Sequence, residues 1–178
     1  QAEWAQAPKG VNIRPQWMAL EQGYAQIVFR NGAKVIMQAP CQFRPVSPGK
    51  MILSTGTISA RVSKGAAGFA IETPTSQIVD LGTEFGVVVD ADSESELHVF
   101  EGEVDISSSN RSISSHHRLK KGQTAFAGLV GDIRINEARY GVQQFMRRLP
   151  DPNRLGIPGK RLDLADVVGG GNGFGTGM

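Results

Sequence analysis

A chain of 178 residues can build one domain that buries about 70% of its extended surface, or one domain with tails. Its 40% hydrophobic and 20% charged content is that of a soluble globular protein, and 22 glycines with few runs of helical period point to β structure. The net charge is only +2, and the lysines and arginines are scattered, with Lys120-Lys121 and Arg147-Arg148 as the densest pairs; this excludes a basic stripe, 7% aromatics exclude a base-stacking platform, and no nucleic-acid partner is expected.

Residues 1–16 are mixed, with Trp4 and a Pro8-Lys9-Gly10 turn, and read as an irregular N-terminal arm. From Trp17 a unit recurs: a bulky apolar residue, two further positions, a glycine, then the alternating residues of a strand. Leu20 to Gly23 leads into Ala25, Ile27 and Phe29, and Leu53 to Gly56 into Ile58, Ala60 and Val62. Val99 to Gly102 leads into Val104 and Ile106, and Leu119 to Gly122 into Thr124 and Phe126. Alternation at period two gives each strand a core face. The glycines stand 33, 46 and 20 residues apart, which rules out a solenoid of fixed period. The expected fold is all-β, a twisted β-sandwich or a short, irregular β-solenoid, with one C-terminal helix.

Between these units, Asn31-Gly32 is a hairpin signal joining 24–30 to 34–38, and Ser47-Pro48-Gly49 is a second turn. Cys41 is alone, so no internal disulfide is possible, and it is expected to pack as a small apolar residue. Lys64-Gly65-Ala66-Ala67-Gly68 separates the strand 58–62 from Phe69-Ala70-Ile71.

A new strand begins near Thr73-Pro74, because the residue before a proline is pushed to extended backbone and Pro74 donates no hydrogen bond. Ile78 and Val79 continue it until Asp80, Leu81 and Gly82 impose a bend or bulge, Gly82 supplying dihedrals that a side chain resists. After Thr83 and Glu84 the run resumes as Phe85-Gly86-Val87-Val88-Val89. Phe85, Val87 and Val89 share one face, and Val88 on the other is also apolar, as in a strand covered on both sides. The polar stretch 90–96 is a hairpin loop, and strands at Leu97 to Phe100 and Val104 to Ile106 flank Glu101-Gly102-Glu103.

Ser107 to His117 is serine-rich and reads as a mobile hairpin loop, followed after Gly131-Asp132 by a short strand at Ile133 and Ile135. Asn136 is placed to cap a helix over 136–150. Ala138, Val142, Phe145, Met146 and Leu149 follow at helical spacing, with Arg147-Arg148 near the C-terminal dipole and Pro150 and Pro152 as stops. Residues 151–178, ending in a glycine run, read as a tail or linker. The organisation is therefore an arm at 1–16, a β domain at 17–135, a helix at 136–150 and a glycine-rich tail at 151–178.

The string TP followed by DLGTEFGVVVD and LHVFEGEVDI, with LEQGYAQIVFRNGAKVIMQAP and LSTGTISARVSKGAAGFAIETP before it, resembles the signature of the FecR domain family from Met18 to Ala127. The motif comprises Thr73, Pro74, Asp80, Leu81, Gly82, Thr83, Glu84, Phe85 and Gly102, all read as structural. The resemblance implies a bacterial periplasmic or otherwise extracytoplasmic regulator that works with anti-sigma and sigma factors, with an envelope receptor or sigma regulator as protein partner. No stretch approaches the roughly 20 apolar residues that span a bilayer. Because Gln1 opens the chain, an excised fragment is expected, with any membrane anchor of the parent outside it.

Carboxylates flanking the glycine turn raise the prospect of glycoside hydrolysis, which needs two of them close together. A structural role for Asp80 is preferred: an aspartate at a bend accepts backbone N–H bonds, and Thr83 or Glu84 can do the same from the next strand. His98, His116 and His117 do not promise a metal site, since adjacent histidines on a strand point to opposite faces. No serine sits in a G-x-S-x-G elbow, Cys41 has no activating partner, and no cofactor fingerprint is present. The expectation is a non-catalytic sensor or regulatory domain without cofactor or metal. The alternative is a carbohydrate-binding or scaffold module of a large surface protein, with Trp4, Trp17, Tyr24 and Tyr140 as sugar-stacking faces.

Overall fold

The computed structural model describes residues 15–149 and the backbone of a strand at 163–167. Its described strands are β1 (Met18–Leu20), β2 (Tyr24–Phe29), β3 (Lys34–Ser47), β4 (Lys50–Arg61), β5 (Ala70–Glu72), β6 (Ser76–Asp80), β7 (Glu84–Val89), β8 (Ser95–Glu101), β9 (Glu103–Ser108), β10 (His116–Lys120), β11 (Thr124–Ala127), β12 (Ile133–Ile135) and β13 (Asp163–Val167). All belong to one continuous, curled sheet.

The curl follows from β3 and β4, which are long enough to serve two halves of the sheet. In the first half, the end of β3 pairs with β1, and the start of β4 pairs in parallel with β5, from which the order runs to β6, β9 and β10. In the second, the start of β3 pairs with β2, and the end of β4 pairs with β7, from which the order runs to β8, β11 and β12. Both long strands bend where the halves meet. The β3–β4 register shifts between Gln38 and Gln42, and there Gly56 takes φ +118° with its Cα turned against the Pro40 and Cys41 backbone. A side chain at 56 would lie 2.7 Å from the Cys41 Cα, so the bend admits only glycine.

One contiguous core fills the curl, drawing on β2 (Ile27, Phe29), β4 (Met51, Leu53, Ile58), β6 (Ile78), β7 (Phe85, Val87), β8 (Leu97) and β9 (Val104, Ile106). The alternating residues named from sequence supply it. Both turn signals hold: β2 and β3 form a hairpin in which the Ala33 N–H donates to Asn31 Oδ1 at 3.0 Å, and Ser47 pairs with Lys50 around Pro48-Gly49. The four unit glycines, Gly23, Gly56, Gly102 and Gly122, all have positive φ. Cys41 is buried as expected, which pushes its thiol pKa up to about 12.

The helix expected over 136–150 does not form. Asn136 sits at φ +61° and Gly141 is extended, a single 3₁₀ turn spans Val142–Gln144, and the rest of 136–149 runs as an irregular strap. Its amides are claimed from outside: Glu96 accepts the N–H groups of Arg139 (2.7 Å) and Tyr140 (3.1 Å), and Gln38 accepts that of Met146 (2.6 Å). Of the five apolar residues at helical spacing only Phe145 is buried, so no helical face is made. The serine-rich loop is shorter than expected, because β9 and β10 extend their pairing to Ser107 and His116. Within the stretch read as a tail, β13 pairs in parallel with β2; its neighbours and residues 1–14, including Trp4, lie outside the described residues.

Candidate functional site

The motif residues build a corner. β6 lies in the first half of the sheet and β7 in the second, so residues 81–83 carry the chain across. Gly102 carries it back between β8 and β9. Gly82, at φ +95°, donates its N–H to Asp80 Oδ2 at 2.8 Å, and the Thr83 hydroxyl donates to Asp80 Oδ1. The two crossings stack directly. A Cβ on Gly102, itself at φ +79°, would lie 2.5 Å from Thr83 Cγ2 and 2.9 Å from the Gly82 carbonyl oxygen. Asp80 is fully buried, and desolvation pushes its pKa up to about 6 against the opposing hydrogen bonds at Gly82 and Thr83. Each of its two oxygens accepts a hydrogen bond from its own turn.

At the other end of β6 a second turn is closed by hydroxyls. Thr73 Oγ1 accepts the N–H groups of Thr75 (3.3 Å) and Ser76 (2.9 Å). Ser95 Oγ then lies within 3.1 Å of Thr73 Oγ1, 2.7 Å of Thr75 Oγ1 and 2.9 Å of Ser76 Oγ. All four residues are buried. This cluster ties the β6 turn to β8, and the Pro74 carbonyl accepts the Ser109 hydroxyl at 2.8 Å.

Glu84 departs from the capping role considered for it. It stands on the outer face of β7, where its Oε2 accepts from Arg61 at 3.0 Å and its Oε1 from Arg147 at 2.7 Å. Burial raises its pKa, but the hydrogen bonds and charges of the two arginines outweigh burial and hold it below the ordinary value. Asp80 and Glu84 are thus each committed to separate partners, and the paired-carboxylate arrangement is not assembled. Leu81 is partly exposed on the crossing and Phe85 lies in the core, so the nine motif residues divide among corner, hydroxyl cluster, core and outer face.

That outer face carries residues the sequence reading missed. Gly86 pairs with Ser59 on one side and His98 on the other, and a Cβ on it would clash with Cδ1 and Cε1 of the Phe145 ring. Phe145 packs against His98 (centroids 5.0 Å apart) and Phe100 (5.4 Å), forming a small second core with Val88 and Tyr140. Every residue of β7 is buried because this strap covers its outer side, which is the two-sided covering inferred from Val88. Glu96 Oε1 lies 2.5 Å from His98 Nε2, and its pKa is lowered because bonds from His98, Arg139 and Tyr140 overcome burial. One signal was available: a glycine inside a strand marks a close approach of another segment.

The other candidates lie apart. His116 and His117 sit on β10, away from the β8 position of His98, and among the described residues no three His, Cys, Asp or Glu side chains gather as a metal site. Trp17 is 54% exposed with Arg44 5.9 Å from its ring, while Tyr140 is taken up by the second core.

Fold and site together define a β domain in which residues 81–83 and Gly102 carry the chain between sheet halves. The profile of the family described as "FecR protein" matches residues 17–105, and the chain belongs to that family. Two crystal structures of a "putative anti-sigma factor" from Parabacteroides distasonis ATCC 8503 share the fold, each with TM-score 0.55 at 17% identity over 67% of this chain. The chain spans 58% of the length of those structures. A comparison with curated proteins found no match. No helix among the described residues is long and apolar enough to cross a membrane.

Proposed function

We propose that this chain is a non-catalytic, extracytoplasmic FecR-type domain that relays an envelope signal by protein contact to the machinery regulating a sigma factor. Membership of the FecR family over residues 17–105 carries this reading, since the family is one of sigma-factor regulators that are generally not enzymes. The structural use of the signature agrees with it. Of the two buried carboxylates of that stretch, Asp80 is hydrogen-bonded within its own turn, and Glu84 is neutralised by two arginines. Function then falls to surfaces. The periplasmic location and the protein partner, an envelope receptor or sigma regulator, belong to this proposal.

The full chain, immobilised and exposed to envelope and cytosolic extracts of its own bacterium with identification of what binds, is expected to retain a sigma-regulatory protein or an envelope receptor. Its overproduction is expected to change transcription from the corresponding sigma-dependent promoter. Saturable sugar binding on a glycan array, with no effect on transcription, would instead establish the carbohydrate-binding alternative.

A further inference from the structure

The strap is held as a peptide ligand is held. Gln38 reads its backbone in both directions, donating from Nε2 to the Gln144 carbonyl at 2.9 Å and accepting the Met146 N–H at 2.6 Å. Phe145 fills the hollow that Gly86 leaves open, between His98 and Phe100. Two residues on, Arg147 donates to Glu84 at 2.7 Å and lies over the Phe100 ring at 4.5 Å. An aromatic residue with extended backbone, a spacer and an arginine are thus recognised by three separate devices, one of which is indifferent to sequence.

Two observations indicate that the resident segment is replaceable. Among 136–149 only Phe145 is buried, and among the described residues the backbone of 144–147 is tied to the sheet through one side chain, Gln38. The floor beneath it also keeps polar atoms without partners: Ser59 Oγ and His98 Nδ1 are buried and unbonded among the described residues, and both flank Gly86 in register. Buried orphans are uncommon and costly. The resident Phe145 ring offers them no hydrogen bond.

We propose that the outer face of β4, β7 and β8 is a docking groove for an extended segment of a partner protein bearing an aromatic residue, any residue, then arginine, and that Gln144 to Arg147 occupies it in the partner's absence. This rests on the protein-contact reading above and supplies the chemistry of the contact.

The test uses the full chain with labelled synthetic peptides. A peptide of residues 140–149 is expected to bind the Phe145→Ala/Arg147→Ala variant, whose aromatic hollow and Glu84 contact are vacated, about tenfold or more tighter than it binds wild type, where the resident side chains compete. Adding Glu84→Gln to the vacated variant should weaken binding about tenfold, and a peptide with alanine in place of the aromatic residue should not bind. In wild type, saturating Phe-x-Arg peptide is expected to speed tryptic cleavage after Arg147 and Arg148 several-fold, and Phe-x-Glu peptide is not. Circular dichroism and urea midpoints establish that the variants fold. Folded, vacated protein that ignores the peptide overturns the proposal, as does equal binding by wild type and variant. A wild-type dimer that exchanges straps and is dissociated by peptide would assign the groove to a second copy and overturn the foreign partner. If a sigma regulator is captured but the peptide does not compete with it, this proposal fails while the protein-contact function stands; if the peptide binds but no regulator is captured, the groove stands and the sigma-regulatory identity of its partner fails.

Discussion

Replacing Gly102 by alanine tests whether the signature is architecture. Two costs follow from its position. At φ +79° an alanine is forced into the left-handed region, at about 1–2 kcal/mol. Its Cβ would also lie 2.5 Å from Thr83 Cγ2 and 2.9 Å from the Gly82 carbonyl oxygen, and relieving that overlap in a packed corner costs about 1–3 kcal/mol. The sum, about 2–5 kcal/mol, is a large share of the 5–15 kcal/mol that ordinarily holds a domain together. Gly122 supplies the control, because it has φ +81° and a Cβ added there would meet nothing within 4 Å; Gly122→Ala should therefore lose only the conformational part. Adding Thr83→Ser to Gly102→Ala removes the clashing methyl while keeping the hydroxyl for Asp80, and should restore about 1 kcal/mol. Urea unfolding of the four proteins, followed by circular dichroism, measures these differences from the midpoints. Equal losses for Gly102→Ala and Gly122→Ala would refute the stacked corner.

Asp80→Asn should alter the pH dependence of stability. With its folded pKa raised from 3.8 to about 6, the folded state holds the Asp80 proton more tightly, so this group costs stability as pH rises through that window, by up to about 3 kcal/mol at pH 7. Glu84 and Glu96, with lowered values, act oppositely: their contribution is present above the ordinary glutamate pKa and lost as pH falls through their folded values. Subtracting wild-type from variant urea midpoints isolates Asp80, and the difference should grow in the variant's favour from pH 4 to pH 7; a flat difference would contradict the burial argument. Ser95→Ala should cost about 1–3 kcal/mol in the same assay, because Thr75 Oγ1 loses the partner that it holds at 2.7 Å while staying buried. Cys41 should resist a thiol reagent in native protein and react only on unfolding, since it is 1% exposed and its thiol pKa is about 12; rapid labelling at neutral pH in buffer would show that the β3 bend opens.

The strands were legible in the sequence because their determinants are local. Period-two alternation at Ala25, Ile27 and Phe29, or at Phe85, Val87 and Val89, survives whatever the partner strand is, and positive-φ glycines announce turns irrespective of topology. The crossing at residues 81–83 was read as a bend, but that it exchanges one sheet half for the other depends on which strands flank β6 and β7, which no local pattern encodes. The strap was misread for a sharper reason. Apolar residues at 138, 142, 145, 146 and 149 satisfy a helical stripe, yet what decides the backbone is Gln38, 108 residues before Met146, and Glu96, 43 residues before Arg139. A long-range acceptor that captures an amide removes it from any helical ladder.

Glu84 joins the two parts of the molecule. It directly follows Thr83, whose hydroxyl is fixed on Asp80, so the stacked crossings determine where its carboxylate emerges on β7. Arg61, its register partner on β4, holds that carboxylate on the outer face, and Arg147 of the strap meets it there. A corner built from left-handed glycines in contact has little room to deform, so departure of the strap leaves Glu84 in place and paired with Arg61 rather than buried and alone. The groove therefore keeps its acidic end whether it is filled or empty. Such pre-organisation is what lets one short segment be exchanged for another without refolding the sheet beneath it.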